Sequence, residues 1–153
     1  MGLRIANRPV TDTEGFVSGT VTKAEFGTAT EVVKRAKDDF DGRTYERFEL
    51  SFDVEGVTGT IHMNLYTGTA LNGPMAETGK GKAKKPVFNR ISSVAISLGL
   101  VTPKELEGTI SEEVKERVEV GLLALVGKRV KFKLGRVEGK QLTVPVPDTI
   151  KLV

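Results

Sequence analysis

The sequence predicts a mainly β protein: a small barrel of five strands with a helical insertion between the third and fourth strands. Two runs of strict apolar–polar alternation lie between residues 45 and 66, on either side of a Glu55-Gly56 turn. Apolar residues then recur at helical spacing from residue 87 to residue 125, and alternation returns from residue 128. This change from strand to helix periodicity and back carries the prediction of fold class.

Length and composition favour one globular domain, residues 15–153, preceded by an N-terminal arm, residues 1–14. The chain has 153 residues, of which 39% are hydrophobic and 28% charged. The absence of cysteine excludes disulfides and thiolate zinc sites and favours a cytoplasmic location, the host cytoplasm if the protein is viral. No apolar run approaches the roughly 18 residues of a membrane span, so we expect no membrane partner. The net charge of +3 permits an anionic partner without requiring one.

The first strand is predicted over residues 16–26, which are rich in threonine and β-branched side chains. Gly19 within this strand indicates a bulge or a tight bend, as where one strand curls to serve two sheets. The next segment leaves two interpretations open, because Val32-Val33 fits either a prolonged bent strand or a short helical turn. Residues 38–42 then indicate a turn ahead of the second strand.

The second and third strands form the hairpin around which the barrel is organised. One parity in both strands is apolar, and a single buried face accounts for it: Phe48, Leu50, Phe52 and Val54, then Val57, Ile61, Met63 and Leu65. The opposite parity predicts an outward face that is aromatic, basic and hydrogen-bonding together. That face carries Tyr45, Arg47, His62, Asn64 and Tyr66.

Residues 67–86 are predicted to form a flexible basic loop. The segment is rich in glycine, contains two prolines and shows no apolar period. Its last third holds the densest group of basic residues in the chain: Lys80, Lys82, Lys84 and Lys85. We expect this loop to close electrostatically over a bound strand of nucleic acid.

Three helical elements are predicted between residues 87 and 127. The first ends at Gly99. The second is a single turn, since Thr102 opens a capping-box pattern with proline at the first helical position. The third is capped by Ser111 and closed by Gly127. The apolar stripes of the first and third helices are assigned to the core: Val87, Ile91, Val94, Leu98, Val114, Val118, Leu122 and Leu125.

Two further strands complete the barrel. In residues 128–137, apolar residues alternate with basic ones, so one face carries Lys131 and Lys133. After a turn at residues 138–140, Val144 belongs to the apolar alternation of the last strand, and Pro145 makes that strand an edge. Five strands with helices between the third and fourth are the order of the OB-fold, a partly open Greek-key barrel.

Single-stranded nucleic-acid binding is the chemistry that the outward residues support. Proteins of this class combine a basic groove with aromatic rings on which bases stack. Tyr45 and Tyr66, the only tyrosines, would supply the rings, and Asn64 a hydrogen-bonding group. Basic side chains of the hairpin, the loop and the fourth strand would contact phosphates: Arg43, Arg47, His62, Lys80, Lys82, Lys84, Lys85, Lys131 and Lys133.

Catalytic, metal and cofactor sites are not supported by the sequence. His62 is the only histidine, and neither a zinc motif nor a Ser-His-Asp arrangement can be assembled around it. Residues 73–81 resemble a phosphate-binding loop, but Gly81 replaces the Ser or Thr that would hold Mg²⁺. Residues 37–48 resemble a calcium loop, but Lys37 and Phe48 stand at its first and last ligand positions. We therefore expect no enzyme activity.

Three motifs carry a resemblance to a known family. They are D-G-R-T-Y at residues 41–45 leading into F-x-L-x-F, N-R-I at 89–91 through S-L-G-L at 97–100, and L-V-G-K-R-V at 125–130. With the element order, residues 15–140 resemble the OB-fold single-stranded DNA-binding proteins of tailed bacteriophages. The resemblance implies a protein that coats single-stranded DNA, with stacking residues on the second and third strands. The chain departs from the family at its end, D-T-I-K-L-V, where many members carry an acidic tail that recruits partners.

Two functions from different classes follow from these patterns. The first is largely sequence-independent binding of single-stranded DNA in phage replication or recombination, with proteins of those processes as further partners and oligomers allowed. The alternative is an OB-like protein-interaction or virion-assembly module that uses an exposed edge strand and binds no nucleic acid. Salt-dependent affinity for an oligonucleotide distinguishes the first from the second.

Overall fold

The structure is a computed structural model of the chain, and it describes residues 10–30, 44–65, 71–74, 76–79, 85–136 and 143–153. Over these ranges the protein is mainly β, with two α-helices, α1 (Arg90–Ser97) and α2 (Glu112–Leu123), and 3₁₀ turns at Pro103–Leu106 and Pro147–Thr149. The strands are β1 (Phe16–Thr30), β2 (Thr44–Val54), β3 (Ile61–Leu65), β4 (Ala76–Thr78), β5 (Lys85–Val87), β6 (Arg129–Arg136), β7 (Thr143–Pro145) and β8 (Lys151–Leu152).

One antiparallel sheet organises these strands, in the order β3-β2-β1-β6-β7, with β8 paired to β6. The outermost strands of that order, β3 and β7, approach each other within 8 Å between Cα atoms. The sheet therefore curls towards a barrel. The helices lie between β5 and β6, so the predicted mainly β class with a helical insertion is confirmed.

Strand β1 serves both halves of the sheet, as the glycine within it predicted. Gly19 and Thr20 pair with β2 on one side and with β6 on the other. A Cβ atom on Gly19 would lie 2.7 Å from the backbone oxygen of Asp53, so glycine permits the close approach of the two strands. Two residues further on, the register shifts between Val21 and Lys23, which is a β-bulge. The bulge bends the strand where it leaves β6.

The core fills the inner face of the curled sheet. Phe48, Leu50 and Phe52 of β2 are fully buried, which confirms the alternation predicted for that strand. The rings of Phe52 and Phe132 lie 4.7 Å apart between centroids, so β2 and β6 meet across the interior. Side chains of both helices join the same cluster: Ile91, Val94, Ala95 and Leu98 from α1, and Val118 and Leu122 from α2.

Capping residues set the ends of the helical elements. The side chain of Asn89 accepts a hydrogen bond from the backbone N–H of Ser92 at 2.9 Å and begins α1. Thr102 and Glu105 form the predicted capping box. Ser111 caps α2 through the N–H of Val114. Each cap supplies an acceptor to an N–H group that the helix itself leaves unpaired.

Several predicted boundaries differ from the structure. Strand β1 runs to Thr30 rather than to Phe26, and helix α2 ends at Leu123 rather than at Gly127. Helix α1 begins at Arg90, whereas Val87 lies in β5, which pairs with β4 inside the segment predicted as a loop. Strand β3 begins at Ile61, because residues 57–60 belong to the turn that follows β2. Three-residue strands are too short to show alternation, so the sequence pattern did not reveal the β4–β5 hairpin.

The predicted facing of the last strand is wrong. Pro145 of β7 is buried and Val144 is 42% exposed, so the two residues have exchanged the sides that apolar alternation assigned to them. Val146 instead donates its N–H to the carbonyl of Lys133, and the chain turns through Pro147–Thr149 into β8. Strand β8 was not predicted, because two residues carry no period.

The described end of the predicted N-terminal arm lies against the sheet. The N–H of Val10 donates to the carbonyl of Glu55 at 3.1 Å, and Thr11 bridges to Val17. No helix in the described ranges is both long and apolar enough to cross a bilayer.

Candidate nucleic-acid interface

The predicted binding residues fall into three groups according to where the structure places them. Arg47, His62 and Asn64 lie on the outward face of β2 and β3, and Lys131 and Lys133 lie on the outward face of β6. The strands contain two more predicted residues whose side chains are outside the described part, Tyr45 in β2 and Lys85 in β5. The remaining predictions lie outside the described residues: Arg43, Tyr66, Lys80, Lys82 and Lys84.

Some predictions about connecting segments also lie outside the described residues. They concern Val32-Val33, the turns at residues 38–42 and 138–140, residues 1–9 of the arm and half of the loop at 67–86.

A buried carboxylate lies at the centre of the outward face of the β2–β3 hairpin. Glu49 is 9% exposed, although its position in β2 points away from the core. Its oxygens lie 3.2 Å from Lys23 Nζ, 3.6 Å from Arg47 Nη2 and 3.6 Å from His62 Nδ1. The carboxylate of Glu49, followed by that of Glu25, holds the pKa of Lys23 above its ordinary value.

The cations of this face are paired with carboxylates that belong to the protein itself. Lys23 also pairs with Glu25 at 3.3 Å, so two cations and two carboxylates lie together. These four charges sum to zero. Arg47 and His62 are brought together as the sequence predicted, but they already share an anion, and a phosphate approaching them has to compete with Glu49.

Hydrogen bonds order the rest of the same face. Ser51 Oγ lies 2.9 Å from His62 Nδ1, and these two residues are directly opposed in the β2–β3 pairing. Asn64 lies opposite Glu49, and among the described residues its Oδ1 atom is buried without a hydrogen-bond partner. The hairpin face thus presents a fixed set of polar groups at its centre.

A second group of cations lies on β6 and β8, around a phenylalanine of β1. The ammonium groups of Lys131, Lys133 and Lys151 lie 5.0, 5.1 and 5.6 Å from the centroid of the Phe16 ring. We call these three residues the lysine cluster. Phe16 is only 7% exposed, although it points to the outward side of the sheet, so the lysine side chains cover it.

The lysine cluster has no carboxylate partner within 4.0 Å in the part of the chain that the structure describes. Asp12 acts on Lys131 at longer range. Its Oδ1 atom accepts hydrogen bonds from the N–H groups of Phe16 and Glu14, each at 2.9 Å. The bond from Phe16 is the main reason that the pKa of Asp12 lies below its ordinary value. The net charge of this region is therefore positive.

Like charges within the lysine cluster repel one another across the β6–β8 pair. Lys131 and Lys151 are directly opposed in the β6–β8 pairing, and like charges so placed destabilise a sheet by roughly 0.2–1 kcal/mol. Cation–π contacts with Phe16 contribute about 0.5–1 kcal/mol each at exposed sites. Three such contacts sum to roughly 1.5–3 kcal/mol, so they offset the repulsion. An anion bound over the cluster would remove the repulsion.

Searches against protein-family models, curated proteins and solved structures found no match to this chain. The residues themselves therefore carry the functional argument. Across the described ranges, no three acidic or histidine side chains converge in a way that could hold a metal ion.

Sequence reasoning missed four residues that define these two groups. Lys23 and Glu49 were not assigned roles, because their contact depends on the register between β1 and β2. Lys151 was missed with β8. Phe16 was assigned only to a strand, and its outward position follows from its pairing with Lys133. A signal existed for Lys151 alone, since an isolated basic residue between apolar ones suggests one outward position in a strand.

Proposed function

We propose that the protein binds single-stranded DNA, with little dependence on sequence, on the outward face of an OB-like barrel. The observation that carries this proposal is the lysine cluster, in which three cations without carboxylate partners among the described residues surround one ring on a sheet surface. A row of cations held on a rigid sheet matches a phosphate backbone, which offers repeated negative charge and no sequence information.

The course of the strands supports the OB-like part of the proposal. In that fold the first strand is shared between the two halves of the barrel, and a helix joins the third strand to the fourth. Here Gly19 and Thr20 of β1 pair on both sides, β3 approaches β7, and the helices precede β6. Such barrels bind oligonucleotides on the face of the second and third strands, which here correspond to β2 and β3.

Roles follow for the described residues. Lys131, Lys133 and Lys151 contact phosphates over β6 and β8. Arg47 and His62 contact the phosphates of a bound DNA strand, which replace Glu49 as their anionic partner. The tyrosines of residues 45 and 66 would add base stacking, as would be typical of the bacteriophage family that the sequence resembles. No catalytic step is part of the proposal.

Fluorescence polarisation with a labelled oligothymidine, at several salt concentrations, tests this function. Affinity should fall as salt rises, with a log–log slope of about −0.7 for each phosphate neutralised. A duplex of equal length should compete less well, because its bases are not available for stacking. Substitution of both tyrosines by alanine should weaken binding roughly tenfold or more. Absence of oligothymidine binding at low salt would contradict the proposal.

One observation favours a second candidate, a protein-interaction module. Beyond Val21, β1 pairs with β2 on one side, and no described residue pairs with its other side. An open strand edge can accept an extended segment of another protein by β-augmentation. This function predicts assembly that is insensitive to salt and no affinity for oligothymidine, so the same polarisation experiment separates the two candidates.

A further inference from the structure

Phe26 is exposed, whereas most phenylalanines of the described chain are buried. Its side chain is 42% accessible, but Phe48, Phe52 and Phe132 are fully buried and Phe16 is covered by lysines. It lies in the part of β1 that extends beyond the pairing with β6, and it has the same facing as the core residues of β2. Within the described ranges, no strand pairs with β1 at this position on the side away from β2.

The ring of Phe26 is held in place on one side and open on the other. Its centroid lies 4.6 Å from that of Phe48, with an angle of 42° between the planes. Phe26 and Phe48 are also directly opposed in the β1–β2 pairing, which fixes the backbone beneath them. An aromatic ring that is already immobilised loses little conformational entropy when a second flat group stacks on it.

Arg47 and Phe26 lie on opposite faces of the β1–β2 strand pair. A Cβ atom on Gly27, the residue next to Phe26, would lie 3.8 Å from Arg47 Nη2 on the outward side. Phe26 and Gly27 lie in the part of β1 whose other edge has no partner strand among the described residues. A flexible chain that crosses this edge can reach a cation on one side and an aromatic ring on the other.

We propose that the open face of Phe26 stacks on an unpaired nucleobase of a strand that passes over the free edge of β1. This inference rests on the proposed function and deepens it by naming a base contact on the inner side of the sheet, on the face opposite to that of Arg47 and His62. Single-stranded nucleic acid fits because its bases present free π-faces, whereas the bases of a duplex are already stacked.

The variant Phe26→Trp tests the contact directly, because the chain contains no tryptophan and the new indole is the only one. Its fluorescence is measured during titration with oligothymidine, while polarisation of a labelled oligonucleotide follows binding in parallel. We expect quenching that saturates at the same concentration as the polarisation change. An abasic oligonucleotide of equal length, which has the same phosphates and no bases, should bind without quenching.

Two further variants measure the contribution of the ring. Phe26→Leu keeps an apolar contact with Phe48 and should weaken oligothymidine binding roughly 5- to 150-fold, the range for one stacked base. Its affinity for the abasic oligonucleotide should be unchanged. Phe26→Tyr keeps an aromatic face and should bind as the parent chain does. Thermal unfolding of each variant shows whether it is folded.

The outcomes separate this inference from the function on which it rests. Oligothymidine binding without quenching, or equal losses on both oligonucleotides for Phe26→Leu, would overturn the stacking role and leave DNA binding intact. Failure of every variant and of the parent chain to bind would overturn the proposed function. Sedimentation that shows Phe26→Leu dissociating a DNA-free oligomer would assign the ring to a protein contact instead, and this too overturns the inference.

Discussion

Lys131 of β6 and Lys151 of β8 are directly opposed across an antiparallel pair, and both ammonium groups lie over the ring of Phe16. A carboxylate directly opposite a lysine on the neighbouring strand stabilises a sheet. Here the position is occupied by a second lysine, and a third, Lys133, lies beside them. Cation–π contacts with Phe16 offset the repulsion between these lysines, and an anion bound over the cluster would remove it.

Neutralising the lysine cluster should weaken binding and flatten its salt dependence. We expect the triple variant Lys131→Gln, Lys133→Gln, Lys151→Gln to bind oligothymidine more weakly at low salt. The log–log slope should become less steep by roughly 2, because about 0.7 is lost for each phosphate contact removed. Polarisation over a salt series measures both quantities.

A matched variant removes the same charge elsewhere. Arg90→Gln, Lys104→Gln and Lys115→Gln lower the net charge equally, but these residues lie in the helical insertion. The log–log salt slope of this triple variant should stay within error of the parent value. If the salt slope decreases equally in both triple variants, binding depends on net charge alone and the lysine cluster has no special role.

Removal of the Glu49 charge should strengthen binding. Glu49→Gln frees Lys23 and Arg47 from their shared carboxylate on the hairpin face. The side chains of Lys23 and Arg47 are 42% and 30% exposed, so each pair is worth roughly 0.2–1 kcal/mol and the gain in affinity at low salt should be up to about fivefold. Glu55→Gln, which breaks the exposed pair with Arg129, is the control for a general loss of negative charge. Weaker binding by Glu49→Gln alone would mean that Glu49 orders the face for its ligand.

Two glycines of β1 should respond differently to alanine. A Cβ atom on Gly19 would clash with the Asp53 carbonyl oxygen at 2.7 Å, and we expect Gly19→Ala to destabilise the fold by roughly 1–3 kcal/mol. A Cβ atom on Gly27 meets only the Arg47 guanidinium, at 3.8 Å. Gly27→Ala should change stability by less than about 0.5 kcal/mol. Urea unfolding of both variants measures the difference, and equal effects would contradict the close approach of β1 to β2.

Acid should weaken the attachment of the 3₁₀ turn to α2. Hydrogen bonds from Arg117 and from the backbone of Thr102 hold the pKa of Glu105 below its ordinary value. A depressed pKa in the folded state stabilises the fold above the unfolded pKa, and this contribution is lost as pH falls through the folded value. Glu105→Gln retains the capping box without the charge. Its urea midpoint should therefore fall less than that of the parent chain when pH drops below about 4.5, the ordinary pKa. If the urea midpoints of the variant and the parent chain fall equally with pH, the Glu105 charge does not contribute to stability.

The sequence was sufficient where a structural feature depends on local pattern. The period of two predicted the buried residues Phe48, Leu50 and Phe52, since strand side chains alternate and one face must be covered. The caps at Thr102 and Ser111 were predictable because capping depends on residues three positions apart. Gly19 was recognised as a bend because glycine inside a strand weakens it without some compensating contact.

Features that depend on register between distant segments were not predictable. The burial of Glu49 arises because Lys23 and His62 are brought beside it from neighbouring strands. The lysine cluster needs Phe16 and Lys151, which are separated by most of the chain, to meet at β6. Period and propensity carry no information about which strands become neighbours, so only the outward parity of Lys131 and Lys133 could be foreseen.

The single extra residue in β1 at the bulge has a geometric effect that reaches both ends of the strand. Phe16 and Phe26 are an even number of positions apart, so an uninterrupted strand would point both rings the same way. The insertion at Thr22 sends them to opposite faces of the sheet, where Phe16 lies beneath the lysine ammonium groups and Phe26 packs against Phe48. A polymer that contacts both rings must pass around the edge of the sheet. A ligand too short to do so would occupy one face at a time.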